Sequence, residues 1–212
     1  MRCCLILSML LAMCHPCLAA NAERHDQDAV LLLEEAARHS AAIETLSTSF
    51  RQEKKLGILV QPLTSQGYMC VTRASALHRE RLLWAYTSPI SSGFLYENGQ
   101  GALWEANSAN KRSTGTQEAK VITAIVKHIM AWIQIDPKVL QQTYRLERPH
   151  QDRPILLLYP RQQSFFASLE VVFTPSLDSV LQLTFFEANG DTVRIMFTDT
   201  QINQPLPQRC AQ

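Results

Sequence analysis

The chain has 212 residues, 20 Lys plus Arg against 19 Asp plus Glu, 46% apolar residues and 18% charged ones, which excludes disordered and collagen-like chains and suits one domain with a substantial core. With a net charge of +1 and no basic run longer than Lys54-Lys55 or Lys111-Arg112, nucleic-acid binding is excluded too.

The first element differs from all the rest. Arg2 precedes an almost wholly apolar run from Cys3 to Met13, followed by Pro16 and the small residues Ala19 and Ala20. This pattern predicts a secretory signal peptide over residues 1–20, cut after Ala20 or Ala22, and a single domain over 21–212. The run is shorter than the roughly 20 residues a membrane-spanning helix needs. Neither Met13-Cys14 nor Pro16-Cys17 puts a small residue before a Cys, as lipid modification requires; a retained short anchor is the competing reading. Cleavage removes Arg2 and no acid, leaving 19 basic and 19 acidic residues. It also leaves only Cys70 and Cys210, which in an oxidising compartment are either bridged or two unrelated thiols.

Asp26 to Leu46 reads as an amphipathic helix, with Ala29, Leu32, Leu33, Ala36 and Ile43 at helical spacing and Glu34, Glu35, Arg38 and Glu44 elsewhere. Strands follow at Phe50–Leu56 and Ser65–Arg73, parted by Pro62, then at Leu82–Tyr86. Gly93–Glu97 and Ala102–Ala106 form a hairpin through Asn98-Gly99, a dipeptide suited to the positive φ of tight turns. A second helix, Glu118–Gln134, has a broad apolar arc that needs a broad apolar surface, while Lys120, Lys127 and His128 keep it out of a membrane. Asp136-Pro137 begins a short third helical segment. Strands resume at Tyr144–Arg148 and Ile155–Tyr159.

In the last fifty residues Phe165, Ala167, Leu169, Val171 and Phe173 alternate with Phe166, Ser168, Glu170, Val172 and Thr174, and Leu181, Leu183 and Phe185 with Gln182, Thr184 and Phe186, so that one face is plainly apolar. Asn189-Gly190 turns the chain into Val193, Ile195 and Phe197. Phe166, Val172, Phe186 and Met196 are expected on the opposite face. The order of elements predicts an α+β fold with a large antiparallel sheet. Such a sheet is either packed solid with side chains or curved around an apolar hollow closed by the helices, which would suit a fatty ligand.

Chemistry-bearing motifs are lacking: there is no His-Glu-x-x-His, Gly-x-Ser-x-Gly or glycine-rich phosphate loop, and His25, His39, His78, His128 and His150 fall one per element. Glu34 and Glu35 point about 100° apart on a helix and cannot converge on one bond. The sequence therefore predicts no catalytic residues, no metal and no cofactor.

Several segments nevertheless resemble a known family. Phe50-Arg51-Gln52, Pro62 through Gly67-Tyr68-Met69-Cys70-Val71-Thr72-Arg73, Leu83-Trp84-Ala85-Tyr86 with Pro89, Asn98-Gly99, Gly190-Asp191-Thr192, Phe197 and Asn203 resemble the LolA-like periplasmic outer-membrane lipoprotein carriers. The resemblance runs from about Leu46 to Asn203. It implies an incomplete, unclosed antiparallel β-barrel with a lid of about three helices over an apolar cavity. It also implies a monomeric periplasmic carrier of acylated cargo (lipoprotein, glycolipid or other lipid) moving from an inner-membrane donor to an outer-membrane acceptor.

The Arg that closes the lid in that family matches Arg73, whose fork of donors can gather several helix carbonyls; apart from the resemblance, Arg73 reads as a solvated strand-end charge. Strand alternation puts Met69 and Val71 inward and Cys70 outward, within reach of Cys210. Phe50, Met69, Val71, Leu83, Trp84, Ile125 and Ile129 are candidates for the cavity wall, or for ordinary core. The segment from Ala74 to Arg81 is longer than expected of a typical carrier, so a glycolipid, acyl compound or pigment is an alternative cargo. Two other functions stand beside the carrier: an envelope protein-interaction or sensing module, and a secreted hydrolase whose site is assembled from distant residues.

Overall fold

A computed structural model describes residues 16–75, 79–97, 99–105, 112–113, 135–164 and 166–211. Helix α1 (Pro16–Ser40) buries Ala29, Leu32, Leu33 and Ala36, spaced along one face, while Glu34, Glu35 and Arg38 stay exposed. It ends six residues before the expected Leu46. From Thr45 onward the chain pairs on both sides as strand β1 (Thr45–Lys55), so residues 45–49 make ladder bonds in place of helical ones. Ile43 lies in the connection and packs beside Leu46 rather than on the helix face.

The remaining strands are β2 (Leu63–Thr72), β3 (Arg81–Ser88), β4 (Ser92–Glu97), β5 (Gln100–Glu105), β6 (Arg112–Ser113), β7 (Tyr144–Glu147), β8 (Ile155–Pro160), β9 (Ser168–Phe173), β10 (Val180–Phe186) and β11 (Thr192–Ile202). They form one antiparallel sheet in the order β6-β5-β4-β3-β2-β1-β11-β10-β9-β8-β7. Its two ends, β6 and β7, are not paired with each other among the described residues, so the barrel is unclosed. Gly99 (φ +80°) and Gly190 (φ +86°) supply the left-handed turn positions expected of the two hairpins. Helix α2 (Pro137–Thr143) begins where expected, its N-cap Asp136 accepting from the amides of Lys138 and Val139 at 3.0 and 3.2 Å. The helix expected over 118–134 lies outside the described residues.

The two halves of the sheet are filled differently. On β7–β9, helices α1 and α2 supply Leu33 and Leu140 to a solid core with Leu146, Leu156, Leu158, Leu169, Val171 and Phe173. Phe166, expected on the other face, joins this core, 5.3 Å from Phe185 ring to ring, because it precedes β9 and escapes the strand's alternation. On β1–β4 and β11, Leu46, Phe50, Met69, Val71, Leu82, Trp84, Ile195 and Phe197 form a second cluster, and Leu183 and Phe185 touch both.

A third cluster lies on the outer face, where Cys70 and Cys210 are joined in a disulfide beside Tyr68, Leu83 and Ala85. It fastens a 3-10 turn (Gln208–Ala211) against β2. The Tyr68 hydroxyl donates to the Arg209 carbonyl at 3.1 Å, and Arg81 donates to the Cys210 carbonyl.

Candidate functional site

Where α1 and α2 fill one half of the hollow, a cavity of about 280 Å³ opens in the other. Alternation along the strands decides its wall. Leu46 and Thr48 come from β1, Met69 from β2, Trp84 and Tyr86 from β3, Phe94 from β4, Leu183 and Phe185 from β10, and Ile195 and Phe197 from β11. A second hollow of about 360 Å³ at β4–β5 shares Tyr86 and Phe94 with it.

Trp84 organises the wall. Its ring centroid lies 4.6 Å from Phe50, 6.3 Å from Phe94, stacked, and 6.3 Å from Phe197, edge-on. Pairs of this geometry each add about 0.5–1.5 kcal/mol beyond area burial. Phe50 reaches this position by lying over Gly67, where a Cβ would come within 2.6 Å of its ring and 2.0 Å of the Ala85 carbonyl oxygen. The Tyr86 hydroxyl donates to Gln52 Oε1 at 2.9 Å; burial pushes it above its ordinary pKa, against a smaller opposing effect from Trp84, so it remains a protonated donor.

One corner of the wall is polar. Thr48 Oγ1 lies 2.9 Å from both the Thr198 carbonyl and Thr200 Oγ1. Asp178, in the β9–β10 turn, accepts at Oδ1 from Thr174 Oγ1 (2.8 Å) and Ser179 Oγ (3.1 Å). Burial alone would raise its pKa, but the hydroxyls of Thr174, Ser176 and Ser179 and its own amide outweigh that and hold it below the usual carboxylate value.

Arg73 sits just past β2, half-buried. Its Nη1 donates to the carbonyls of Ser40 (3.2 Å) and Ala41 (3.0 Å), and its amide to the Glu44 carbonyl (2.8 Å). Burial lowers the guanidinium pKa from its ordinary value. From the other side Asn203 donates to the Ala42 carbonyl at 2.9 Å and accepts at Oδ1 from the amides of Glu44 (2.8 Å) and Thr45 (3.3 Å). The junction between α1 and β1 is therefore clamped from two strands, with its helix-end carbonyls satisfied by a cation.

Of the residues nominated from sequence, Met69 and Trp84 line the cavity, and Phe50 and Val71 are buried in the cluster around it. Leu83 must be corrected: as the neighbour of Trp84 on a strand it points to the opposite face, against Cys70 and Cys210. Ile125 and Ile129 lie outside the described residues. Thr48, Asp178, Ser179 and Thr200 were missed, since polar residues at a bulge or turn carry no periodic signal. Among the described residues no three His, Cys, Asp or Glu side chains converge as a metal site would need.

The family model of the outer membrane lipoprotein carrier protein LolA matches residues 41–210. Among solved structures, MucB from the Pseudomonas aeruginosa MucA/MucB complex is similar at 14% identity and TM-score 0.51, over 87% of this chain and 60% of that one. Another crystal structure of MucB is similar at 16% identity and TM-score 0.52, over 88% of this chain and 62% of that one. A LolA superfamily protein of Nitrosomonas europaea is similar at 11% identity and TM-score 0.41, over 85% and 96%. The chain spans about three fifths of the MucB chains. No curated protein matches it in sequence.

Proposed function

Because the chain belongs to the outer membrane lipoprotein carrier protein family, LolA, we propose that it carries the acyl chains of a lipoprotein or other lipidic cargo across the periplasm. It would take them from an inner-membrane donor to an outer-membrane acceptor and catalyse no reaction. The observation that carries this is the cavity of about 280 Å³ with Met69, Trp84, Phe94, Leu183, Ile195 and Phe197 on its wall. Each acyl methylene moved from water onto that wall is favoured by about 0.8 kcal/mol, so about ten give micromolar affinity before ordering costs.

A carrier must also release. The cavity is near the lower end of ligand-pocket volumes, so a cargo with several acyl chains would enter by widening the wall. Arg73 opposes that movement by holding the end of α1 with two charge-assisted hydrogen bonds, each worth about 1.5–3 kcal/mol. Binding then includes the cost of opening, which keeps the cargo transferable to a tighter-binding acceptor.

The test is mass spectrometry of the protein purified from periplasm without detergent, as wild type and as Arg73→Leu. The expected result is a stoichiometric acylated molecule, held more tightly by Arg73→Leu, on a chain beginning at Asn21 or Glu23. Equal retention by the two proteins would overturn the clamp. A wild type that is empty and takes up no added lipid would overturn the carrier and favour a second reading, an envelope domain that binds a protein partner. That second reading is supported by the fold shared with MucB in its complex with MucA.

A further inference from the structure

A cavity for acyl chains alone has no need of charge, yet an ionised carboxylate stands on this wall. Tyr86 spends its hydroxyl on Gln52, so the remaining polar lining is Thr48, Asp178, Ser179 and Thr200. The turn that carries Asp178 also has backbone bonds of its own, the Thr174 amide donating to the Ser179 carbonyl at 2.9 Å and the Leu177 amide to the Thr174 carbonyl at 3.0 Å. The hydroxyls of Thr174 and Ser179 keep Asp178 charged, and among the described residues no Lys, Arg or His forms a salt bridge with it. Among the described residues its negative charge therefore has no ion-pair partner, on the polar part of a wall that is elsewhere apolar and where electrostatic effects are stronger than in water.

We propose that Asp178, with the hydroxyls of Thr48, Ser179 and Thr200, forms the headgroup subsite of the cavity and selects amphiphiles whose headgroup donates hydrogen bonds and bears no negative charge. The inference rests on the carrier function and deepens it. A carboxylate only accepts, so it suits an ammonium or hydroxyl group; the Ser179 and Thr48 hydroxyl protons are already given to Asp178 and the Thr198 carbonyl, so these oxygens too meet a headgroup as acceptors. Phosphate or carboxylate headgroups meet like charge in a partly desolvated corner and are rejected.

The experiment compares three probes with one lauroyl-length chain at neutral pH: dodecylamine, 1-monolauroylglycerol and laurate, titrated calorimetrically into the detergent-free protein. Wild type is expected to bind the amine or the glyceride at least about tenfold more tightly than laurate, and whichever is tighter identifies ammonium or hydroxyl as the preferred donor. Asp178→Asn should bring laurate within about threefold of the glyceride and weaken the amine, while Asp178→Glu keeps most of the discrimination. Equal affinity of wild type for all three probes overturns the subsite and leaves the carrier standing. A proportional loss for all three in Asp178→Asn overturns it as well, assigning Asp178 to turn structure alone. If none of the three binds wild type, the carrier function falls and the subsite with it.

Discussion

Breaking the Cys70–Cys210 disulfide should destabilise the fold without altering the cavity. The bridge joins residues 140 apart in sequence, and in the chain-entropy model closing so long a loop removes about 17 cal/mol/K from the unfolded ensemble, or about 5 kcal/mol at 25 °C. Measured losses are commonly about 2–5 kcal/mol, because unfolded chains keep residual structure. A loss of about 3 kcal/mol should lower Tm by roughly 6–12 °C for a domain of this size, and move the urea midpoint by about 1.5 M if m is near 2 kcal/mol/M.

Three samples separate the causes: oxidised wild type, wild type in reductant, and the double variant Cys70→Ala with Cys210→Ala. Reduction removes only the cross-link. The double variant also removes two buried sulfurs from the outer cluster, and should fall about 1–2 kcal/mol further. Since both cysteines lie on the face away from the cavity, lipid uptake below the melting transition should match in all three. If reduced and oxidised wild type melt within about 1 °C of each other, the loop-closure argument is wrong for this chain.

Other expectations follow from single positions. Leu156→Ala, at a side chain with no exposure in the solid core, should cost about 2–5 kcal/mol by urea denaturation, whereas Ile58→Ser, on a side chain 91% exposed at the β1–β2 tip, should change stability by less than about 0.5 kcal/mol. Gly67→Ala should destabilise by about 1–3 kcal/mol and displace Phe50, seen as an altered near-ultraviolet aromatic spectrum, because the new Cβ meets the Ala85 carbonyl. The Asp178 pKa is depressed in the folded state, so its contribution to stability is present above its unfolded pKa of about 4 and is lost as pH falls through the lower folded value. Urea curves for wild type and Asp178→Asn should therefore differ by a constant amount above about pH 5 and converge below pH 4; a gap that persists at pH 2 would refute this.

Much of the fold was legible because its signals are local. The spacing of Ala29, Leu32, Leu33 and Ala36 announced α1, and Asn98-Gly99 and Asn189-Gly190 announced two hairpins, each through short-range backbone chemistry. Boundaries were less legible. Ile43 continues the helical spacing of α1, yet the chain leaves the helix at Ser40 because β2 and β11 lie on both sides of residues 45–49 and claim their amides. Leu83 was misplaced for a different reason, since an apolar pair such as Leu83-Trp84 does not declare which member faces in.

By itself, then, the amino-acid sequence determined the α+β class, the near-complete run of antiparallel strands and the apolar face of the last hairpin, since periodicity and turn chemistry depend on near neighbours. The tertiary structure alone decided which half of the hollow is filled by α1 and α2 and where a cavity remains among the described residues, and that Arg73 and Asn203 meet at one junction from strands 130 positions apart. It also decided that Asp178 lines the same cavity as Thr48 and Thr200. Those relations depend on how strands distant in sequence are ordered in one sheet, and that order is a property of the whole packed chain.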